Sequence, residues 1–178
     1  MSPCDTQVAA LGYLICTMTI GKLKSLDEIV EIRKQLRAAG KKLVFTNGCF
    51  DLLHVGHVRY LNQARAMGDA LVVGLNTDGS VRQLKGEGRP VVPELERAEV
   101  LAALGSVDYI FLFADPTPQR VIDAIVPDVL VKGADWSPSE IVGREVVEAA
   151  GGKVCNVPLV EHASTSDIIQ TVLTRFRK

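Results

Sequence analysis

Short apolar runs separated by amphipathic stretches recur along most of this 178-residue chain. Continuous apolar runs suit strands that are buried on both faces, and the stretches between them place apolar residues at helical spacing. Strands that alternate with helices form parallel βαβ units with right-handed crossovers. We therefore predict an α/β fold, a doubly wound sheet of five parallel strands with helices on both faces. The predicted strands are Leu43–Thr46, Ala70–Asn76, Asp108–Phe113, Asp128–Gly133 and Lys153–Val157.

Helix caps and glycines bound the segments between these strands. Ser25 and Glu28 have the spacing of a capping box, and Gly40 ends that first helix. Further helices are predicted over residues 58–67, about 94–104, 117–125 and about 143–150, and from Ser164 or Thr165 to Phe176. Residues 79–92 are polar and contain glycine, which predicts a mobile loop.

The first residues of the chain differ from the rest. Residues 8–20 are mostly apolar, but a membrane-spanning helix needs about 20 apolar residues. The basic start of a secretory signal is also missing, since Met1–Asp5 contains no Lys or Arg. We predict an extension at residues 1–24 outside a single catalytic domain at residues 25–178, with Met18 as a candidate for the true start.

Composition argues against several classes of protein. The 20 basic and 21 acidic residues nearly cancel, whereas a nucleic-acid-binding surface needs a basic excess. The four cysteines form no Cys-x-x-Cys pair, so a zinc ribbon or dithiol site is not expected, and a reduced, cytoplasmic protein without membrane partners is the simplest interpretation. No P-loop and no Gly-x-Gly-x-x-Gly follows the first strand.

The stretch from Thr46 to His57 joins the first predicted strand to the next helix and contains two of the three histidines. Ligands of open α/β sheets bind at the carboxyl ends of strands, and a helix N-terminus there attracts anions. His54 and His57 could supply hydrogen-bond donors to such an anion. Two alternatives remain open: capping or core histidines, and a metal pair with Cys49 nearby, although a complete ligand set is not evident.

These residues resemble the nucleotidylyltransferases with a His-x-Gly-His signature, here His54-Val55-Gly56-His57. The resemblance covers about residues 41–178 and extends over several ordered motifs, which makes it far more specific than four residues alone. The other matching segments are Gly48–Leu53, Asn76-Thr77-Asp78, Lys85 with Arg89-Pro90, Lys132–Trp136 and Ser164-Thr165-Ser166. The family has a Rossmann-like fold, as predicted above for this chain.

The resemblance also implies roles for individual residues. Catalysis would fall to His54, His57 and Lys85, which stabilise charge on phosphate oxygens. Asp78 could instead be a helix cap, Lys85 a solvated lysine, Trp136 a cover of the core, and the serine-threonine segment a cap alone. The implied nucleotide-binding residues are Gly48, Cys49, Phe50, Lys132, Gly133, Asp135, Ser164, Thr165 and Ser166, and the implied substrate-binding residues are Asp51, Asp78, Arg89 and Trp136.

Within the family, the chain is most similar to the branch that adenylylates D-glycero-β-D-manno-heptose 1-phosphate. Cytidylyltransferase relatives have Arg-Thr-Glu-Gly before the serine-threonine segment, where this chain has Leu159-Val160-Glu161-His162. That difference favours ATP over CTP. The implied partners are ATP with Mg²⁺, a sugar 1-phosphate and a separate upstream kinase, and a homodimer is compatible with the resemblance. The alternatives are a cytidylyltransferase acting on glycerol 3-phosphate or another small phosphate, and a non-catalytic nucleotide-binding regulator.

Overall fold

A computed structural model describes residues 21–133, 141–158 and 164–176. Five parallel strands form one sheet in the order β3-β2-β1-β4-β5. This doubly wound order with helices on both faces confirms the predicted fold class. The strands are β1 (Leu43–Gly48), β2 (Ala70–Asn76), β3 (Tyr109–Phe113), β4 (Val129–Gly133) and β5 (Lys153–Val157).

Helices fill the connections between the strands. The capping box at Ser25 is present: its hydroxyl accepts from the Glu28 backbone N–H, and the Glu28 carboxylate accepts from the Ser25 N–H. The helices are α1 (Leu26–Ala38), α2 (Val55–Arg65), α3 (Asp78–Lys85), α4 (Glu94–Ala102), α5 (Gln119–Ile125), α6 (Arg144–Ala149) and α7 (Thr165–Phe176).

Both faces of the sheet are covered, which explains why its strands are apolar throughout. Val44 belongs to the core on one face, together with Leu61 of α2 and Leu101 of α4. Leu43 and Phe45 point to the opposite core, which α1, α5 and α6 cover. Because side chains alternate along a strand, this division follows from the parallel, two-sided sheet. The large buried area holds the strand ends, and hence the site, in fixed positions.

Two sequence-based boundaries were wrong in ways that affect the site. Helix α2 begins at Val55 instead of residue 58, so His57 lies in its first turn. Residues 79–85, predicted as part of a loop, instead belong to the helix Asp78–Lys85 (α3), and Lys85 is its last residue. The helix forms because Thr77 caps it and Val81 is fully buried, although most of its other residues face solvent.

Residues 22–24 lie along the edge strand β3. Leu23 forms a parallel bridge with Ile110, and the Lys24 backbone N–H donates to the Ile110 carbonyl at 2.8 Å. Residues 1–20, including Met18, lie outside the described residues, so the division of the chain at residue 24 stays a prediction. Across the described ranges, no helix combines the length and apolar character needed to span a bilayer.

Candidate active site

The candidate site lies where the sheet order reverses, at the carboxyl ends of β1 and β4. β1 pairs with β2 on one side and with β4 on the other, so the connections after β1 and β4 leave the sheet in opposite directions. A crevice at such a switch point is the general ligand position in open α/β sheets. The chain then runs from Gly48 through a short loop into α2, whose N-terminus faces this edge.

Two imidazoles meet at the start of α2. His54 occupies the N-cap position with extended backbone, and its side chain makes no capping hydrogen bond. The ring centroids of His54 and His57 are 3.8 Å apart, with 28° between the planes. Both Nδ1 atoms are buried and have no hydrogen-bond partner among the residues that the structure describes. The predicted alternative of a capping histidine is therefore wrong for the His54 side chain.

Burial keeps this pair neutral. Burial, reinforced by the neighbouring His54, lowers the pKa of His57 to about 4, although the backbone of Leu52 opposes the shift. Burial also lowers the pKa of His54, while Asp167 acts in the opposite direction. At neutral pH each ring is thus an uncharged imidazole with one N–H donor. Two uncharged rings can stack closely, whereas two imidazolium ions would repel each other.

Phe50 supports the pair from the preceding loop. Its ring lies against His57, with centroids 5.2 Å apart. Phe50 has a φ of 43°, in the left-handed region that non-glycine residues rarely adopt. A Cβ on Gly48 would lie 3.0 Å from the Phe50 ring, so any other residue there would have to displace the ring by a few tenths of an ångström. This strained turn is a local feature that the sequence did not indicate.

Asp51 anchors the loop that precedes α4. Its carboxylate accepts hydrogen bonds from the backbone N–H groups of Val91 and Val92 and from the Arg89 guanidinium. Burial raises the pKa of Asp51, but those donors outweigh it and leave the pKa below its usual value. The carboxylate is thus occupied by the protein itself. Substrate contact remains a prediction for Asp51 and Arg89. The role that the structure shows for them is to hold this loop against the site.

Arg97 is the main site feature that sequence reasoning missed. Its side chain is fully buried on α4, and its donors reach three separate segments around the site. The acceptors are the carbonyl oxygens of Cys49, Asn76 and Val92 and the carboxylate of Asp78, at 2.5–2.9 Å. The sequence contained a signal for this role. Arg97 is four residues before Leu101, so helical spacing places the arginine on the buried, apolar face of α4.

Asp78 does not cap α3, so that alternative was wrong. The N-cap is Thr77, whose hydroxyl accepts from the Ser80 N–H at 3.4 Å. Asp78 is the first residue of the helix, and its carboxylate pairs with Arg97 at 2.8 Å. Its predicted role in substrate binding remains a prediction, since the observed contact is with the protein.

Lys85 is exposed at the end of α3 and lies close enough to Cys49 for its charge to act on that thiol. Burial raises the pKa of the Cys49 thiol, and the positive charges of Lys85, Arg97 and Arg89 oppose that shift. The charge of Lys85 therefore reaches Cys49, which is one of the predicted nucleotide-binding residues. The raised pKa keeps Cys49 a thiol at neutral pH, which agrees with packing and not nucleophilic attack.

β4 adds Lys132 to the same edge. Its ammonium donates to the side-chain oxygen of Asn47 at the end of β1. Gly133 follows as the last residue of β4, whereas Asp135 and Trp136 lie outside the described residues. This contact brings the end of β4 against the end of β1.

The start of α7 reaches the opposite side of the His54 loop. The Thr165 hydroxyl donates to the Leu52 carbonyl at 3.3 Å. Ser164 caps the helix, because its hydroxyl accepts from the Asp167 N–H at 3.0 Å, while Ser166 is exposed. These hydroxyls and free N–H groups form an anion-attracting end beside the histidines. Capping is observed, and phosphate binding remains a prediction.

A metal site would need further ligands near the histidine pair. Within residues 21–133, 141–158 and 164–176, no three His, Cys, Asp or Glu side chains are grouped so that they could hold a metal ion. Cys49 and Cys155 are free thiols. The arrangement instead collects neutral donors, helix N-termini and cations, which together suit a phosphate-bearing ligand.

The family model that matches residues 45–171 is described as cytidylyltransferase-like. The chain belongs to the cytidylyltransferase-like family. The match runs from within β1 to within α7 and includes the described residues of the site. The resemblance predicted from the motifs is therefore confirmed, and the chain is a nucleotidyltransferase domain.

Curated members of this family match most of the chain. The bifunctional protein HldE of Citrifermentans bemidjiense is 56% identical over 155 residues, which are 87% of this chain and 32% of that protein. HldE of Geotalea uraniireducens is 55% identical over 153 residues, 86% of this chain and 31% of that protein. The chain thus spans about a third of the length of these relatives.

Solved structures agree on the fold. A lipopolysaccharide core biosynthesis protein from Thermoplasma volcanium is 27% identical, with a TM-score of 0.57, and the match covers 70% of this chain and 100% of that chain. Pantoate-beta-alanine ligase from Francisella tularensis has a TM-score of 0.58 at 15% identity, covering 88% and 79%. The second likeness shows the fold alone.

Proposed function

We propose that this chain transfers the adenylyl group of ATP to D-glycero-β-D-manno-heptose 1-phosphate, giving ADP-heptose and pyrophosphate, in the synthesis of lipopolysaccharide core precursors. The observation that carries the proposal is the stacked, neutral His54–His57 pair at the N-terminus of α2, in a chain 56% identical to bifunctional HldE over 87% of its length. The similarity to a protein of lipopolysaccharide core biosynthesis supports the same pathway.

The reaction needs positioning and charge stabilisation more than proton transfer. An oxygen of the acceptor phosphate, already ionised near neutral pH, bonds to the α-phosphorus of ATP. The bond from that phosphorus to the oxygen shared with the β-phosphate breaks, and pyrophosphate leaves with the bonding electrons. His54 and His57 donate N–H groups to phosphate oxygens as charge develops, and Lys85 adds a positive charge from α3. The N-termini of α2 and α7 add free backbone N–H groups.

We propose that Mg²⁺ enters with the phosphates of ATP. Magnesium keeps several waters and needs only phosphates with one or two carboxylates, so a cage of protein ligands is not required. Within the part of the chain that the structure describes, no three His, Cys, Asp or Glu side chains are grouped as a cage, so phosphate oxygens and waters would supply most of the metal's ligands. The metal would supply charge neutralisation at the phosphates.

The supply of heptose 1-phosphate requires a kinase activity, and we propose that both reactions take place in the cytoplasm. The relatives are named bifunctional and are about three times as long as this chain, so the second activity of those proteins is not assigned to it. A homodimer remains a prediction.

A pyrophosphate-release screen tests the proposal. The purified chain is assayed with ATP and with CTP against heptose 1-phosphate, glycerol 3-phosphate and other small phosphates. We expect ATP with heptose 1-phosphate to give the highest kcat/KM. A higher value with CTP would support the cytidylyltransferase alternative, and nucleotide binding without turnover on any acceptor would support a regulator. Leu159–His162, on which the nucleotide argument depends, lie outside the described residues.

A further inference from the structure

The two central strands separate at the crevice. The ladder between β1 and β4 pairs Val44 with Val129 and Phe45 with Leu130, and no later pair forms between these two fully described strands. Continuing the register by one residue and by two places Thr46 opposite Val131 and Asn47 opposite Lys132.

Side chains replace the ladder at both of these positions. The Tyr60 hydroxyl of α2 lies 2.7 Å from the Thr46 hydroxyl and donates to the Val131 carbonyl at 3.1 Å. One step nearer the mouth, the Lys132 ammonium donates to the Asn47 side-chain oxygen. The buried Tyr60 hydroxyl thus links the two strands at Thr46 and Val131. The Asn47–Lys132 contact lies one residue further along both strands, next to Gly48.

A lysine needs such a partner if its charge is to act at a fixed point. The four-carbon side chain has many rotamers, and ordering it costs conformational entropy. An amide oxygen orients the ammonium without cancelling its positive charge. The carboxylates of Asp51 and Asp78, in contrast, neutralise the guanidinium groups that they bind.

We propose that Asn47 is a positioning residue that fixes the Lys132 ammonium at the mouth of the β1–β4 crevice, where it binds the phosphates of the nucleotide. This inference rests on the proposed function for the identity of the ligand. Asn47 acts through Lys132 and makes no direct contribution to bond transfer. Asn47 was placed in the connection after the first strand and was not among the predicted site residues, because its partner Lys132 is 85 residues away in the sequence.

A double-mutant cycle on the full chain tests the assignment. ATP binding is measured by calorimetry, and KM and kcat by pyrophosphate release, for Asn47→Ala, Lys132→Ala and the double variant. We expect each single change to weaken ATP binding by about tenfold, the size of one charge-assisted hydrogen bond. The double variant should be no weaker than Lys132→Ala, because removing Asn47 costs little once the ammonium is gone.

Further variants separate positioning from folding. Asn47→Asp keeps the shape and the acceptor but cancels the charge, so ATP binding should weaken while melting temperature holds. Asn62→Ala, an exposed asparagine on α2, is the matched control and should change nothing. Single effects that multiply in the double variant, or unchanged ATP affinity in Asn47→Ala or Asn47→Asp, would overturn the assignment. Calorimetry reports on Asn47 even if no acceptor is turned over, so failure of the proposed reaction is seen separately.

Discussion

The rings of His54 and His57 stack with their centroids 3.8 Å apart, although both could carry a positive charge. Burial resolves the conflict by holding the pKa of each ring below its usual value. The pair therefore offers two uncharged donors at the N-terminus of α2. An incoming triphosphate, with its negative charge, would stabilise the protonated form of either ring and strengthen its hydrogen bonds.

Replacing either histidine by alanine should slow adenylyl transfer by about 10²–10³, the typical cost of one pre-placed donor. His57→Asn keeps a donor with a different reach and should retain more activity than His57→Ala. Steady-state kinetics of the three variants measure this. The fold should survive each change, because β1 and α2 anchor the loop from both sides.

Elemental analysis separates this role from a metal pair. The phosphate-donor role predicts purified protein without stoichiometric zinc and with a melting temperature that a chelator leaves unchanged. Bound zinc that disappears in His57→Ala would contradict it, since the histidines would then be ligands.

Stability should depend on pH through His57. Its pKa is about 4 in the folded protein and about 6.5 when unfolded, so the unfolded chain binds more protons between these values. The contribution of the neutral ring is complete above pH 6.5 and is lost as the pH falls to 4. At about 1.4 kcal/mol per pKa unit the loss is about 3 kcal/mol at most.

Urea unfolding from pH 7.5 to 4 checks the sign and the size. His57→Asn has no titrating ring at that position, so its stability should fall less steeply with pH than that of the unsubstituted protein. Acidic residues with lowered pKa, such as Asp51, affect both proteins equally. Parallel pH profiles of the two proteins would mean that burial does not lower the pKa of His57.

Arg97 should matter for stability and activity together. Removing the guanidinium in Arg97→Met leaves three carbonyl oxygens and the Asp78 carboxylate without their donor. Breaking a buried ion pair in this way typically costs about 3–5 kcal/mol. Turnover should also fall, because Arg97 holds the carbonyl of Cys49, and Cys49 is one of the predicted nucleotide-binding residues.

Arg97→Lys tests the geometry, since an ammonium cannot reach three segments with a planar fork. Arg120→Met provides the control: Arg120 is 71% exposed and pairs with Asp115 at the surface, where ion pairs contribute little. Urea denaturation of the three variants is the measurement. A loss below about 1 kcal/mol in Arg97→Met would show that the network relaxes around the missing side chain.

The features that the sequence predicted depend on residues close together in the chain. The features that it did not predict mostly depend on partners far away in the chain. Leu71, Val72 and Val73 are buried on both sides of the sheet, and that shows directly in the sequence. The histidine spacing is equally local. Arg97 and Asn47 have partners 19–85 residues away, so only the folded sheet shows what they bind. Helix α3 was missed because it is only eight residues long and begins with Asp78, Gly79 and Ser80, which are residue types common in turns.

The extension at the start of the chain should be dispensable up to a definite point. Deleting residues 1–17 should leave melting temperature and activity nearly unchanged, because the described site and sheet lie beyond them. Deleting residues 1–24 should lower the melting temperature, since Leu23 and the Lys24 N–H bind the edge strand β3. Thermal unfolding of both truncations measures the difference. A large fall already at residue 17 would place the first segment in the domain.

Lys85 should separate function from folding. It is exposed at the end of α3, so Lys85→Ala should change the free energy of unfolding by no more than about 0.5 kcal/mol. If its charge serves the phosphates, turnover should fall strongly, and the loss should shrink at high salt, because salt screens the contribution that Lys85 makes in the unsubstituted protein. Arg82→Ala is the matched control, because Arg82 is an equally exposed cation in the last turn of the same helix. A specific effect of Lys85→Ala, absent from Arg82→Ala, would mean that position and not net charge decides. Equal kinetics for Lys85→Ala and the unsubstituted protein would instead return Lys85 to the role of a solvated lysine, and would leave the developing charge to the histidines, Lys132 and the helix N-termini.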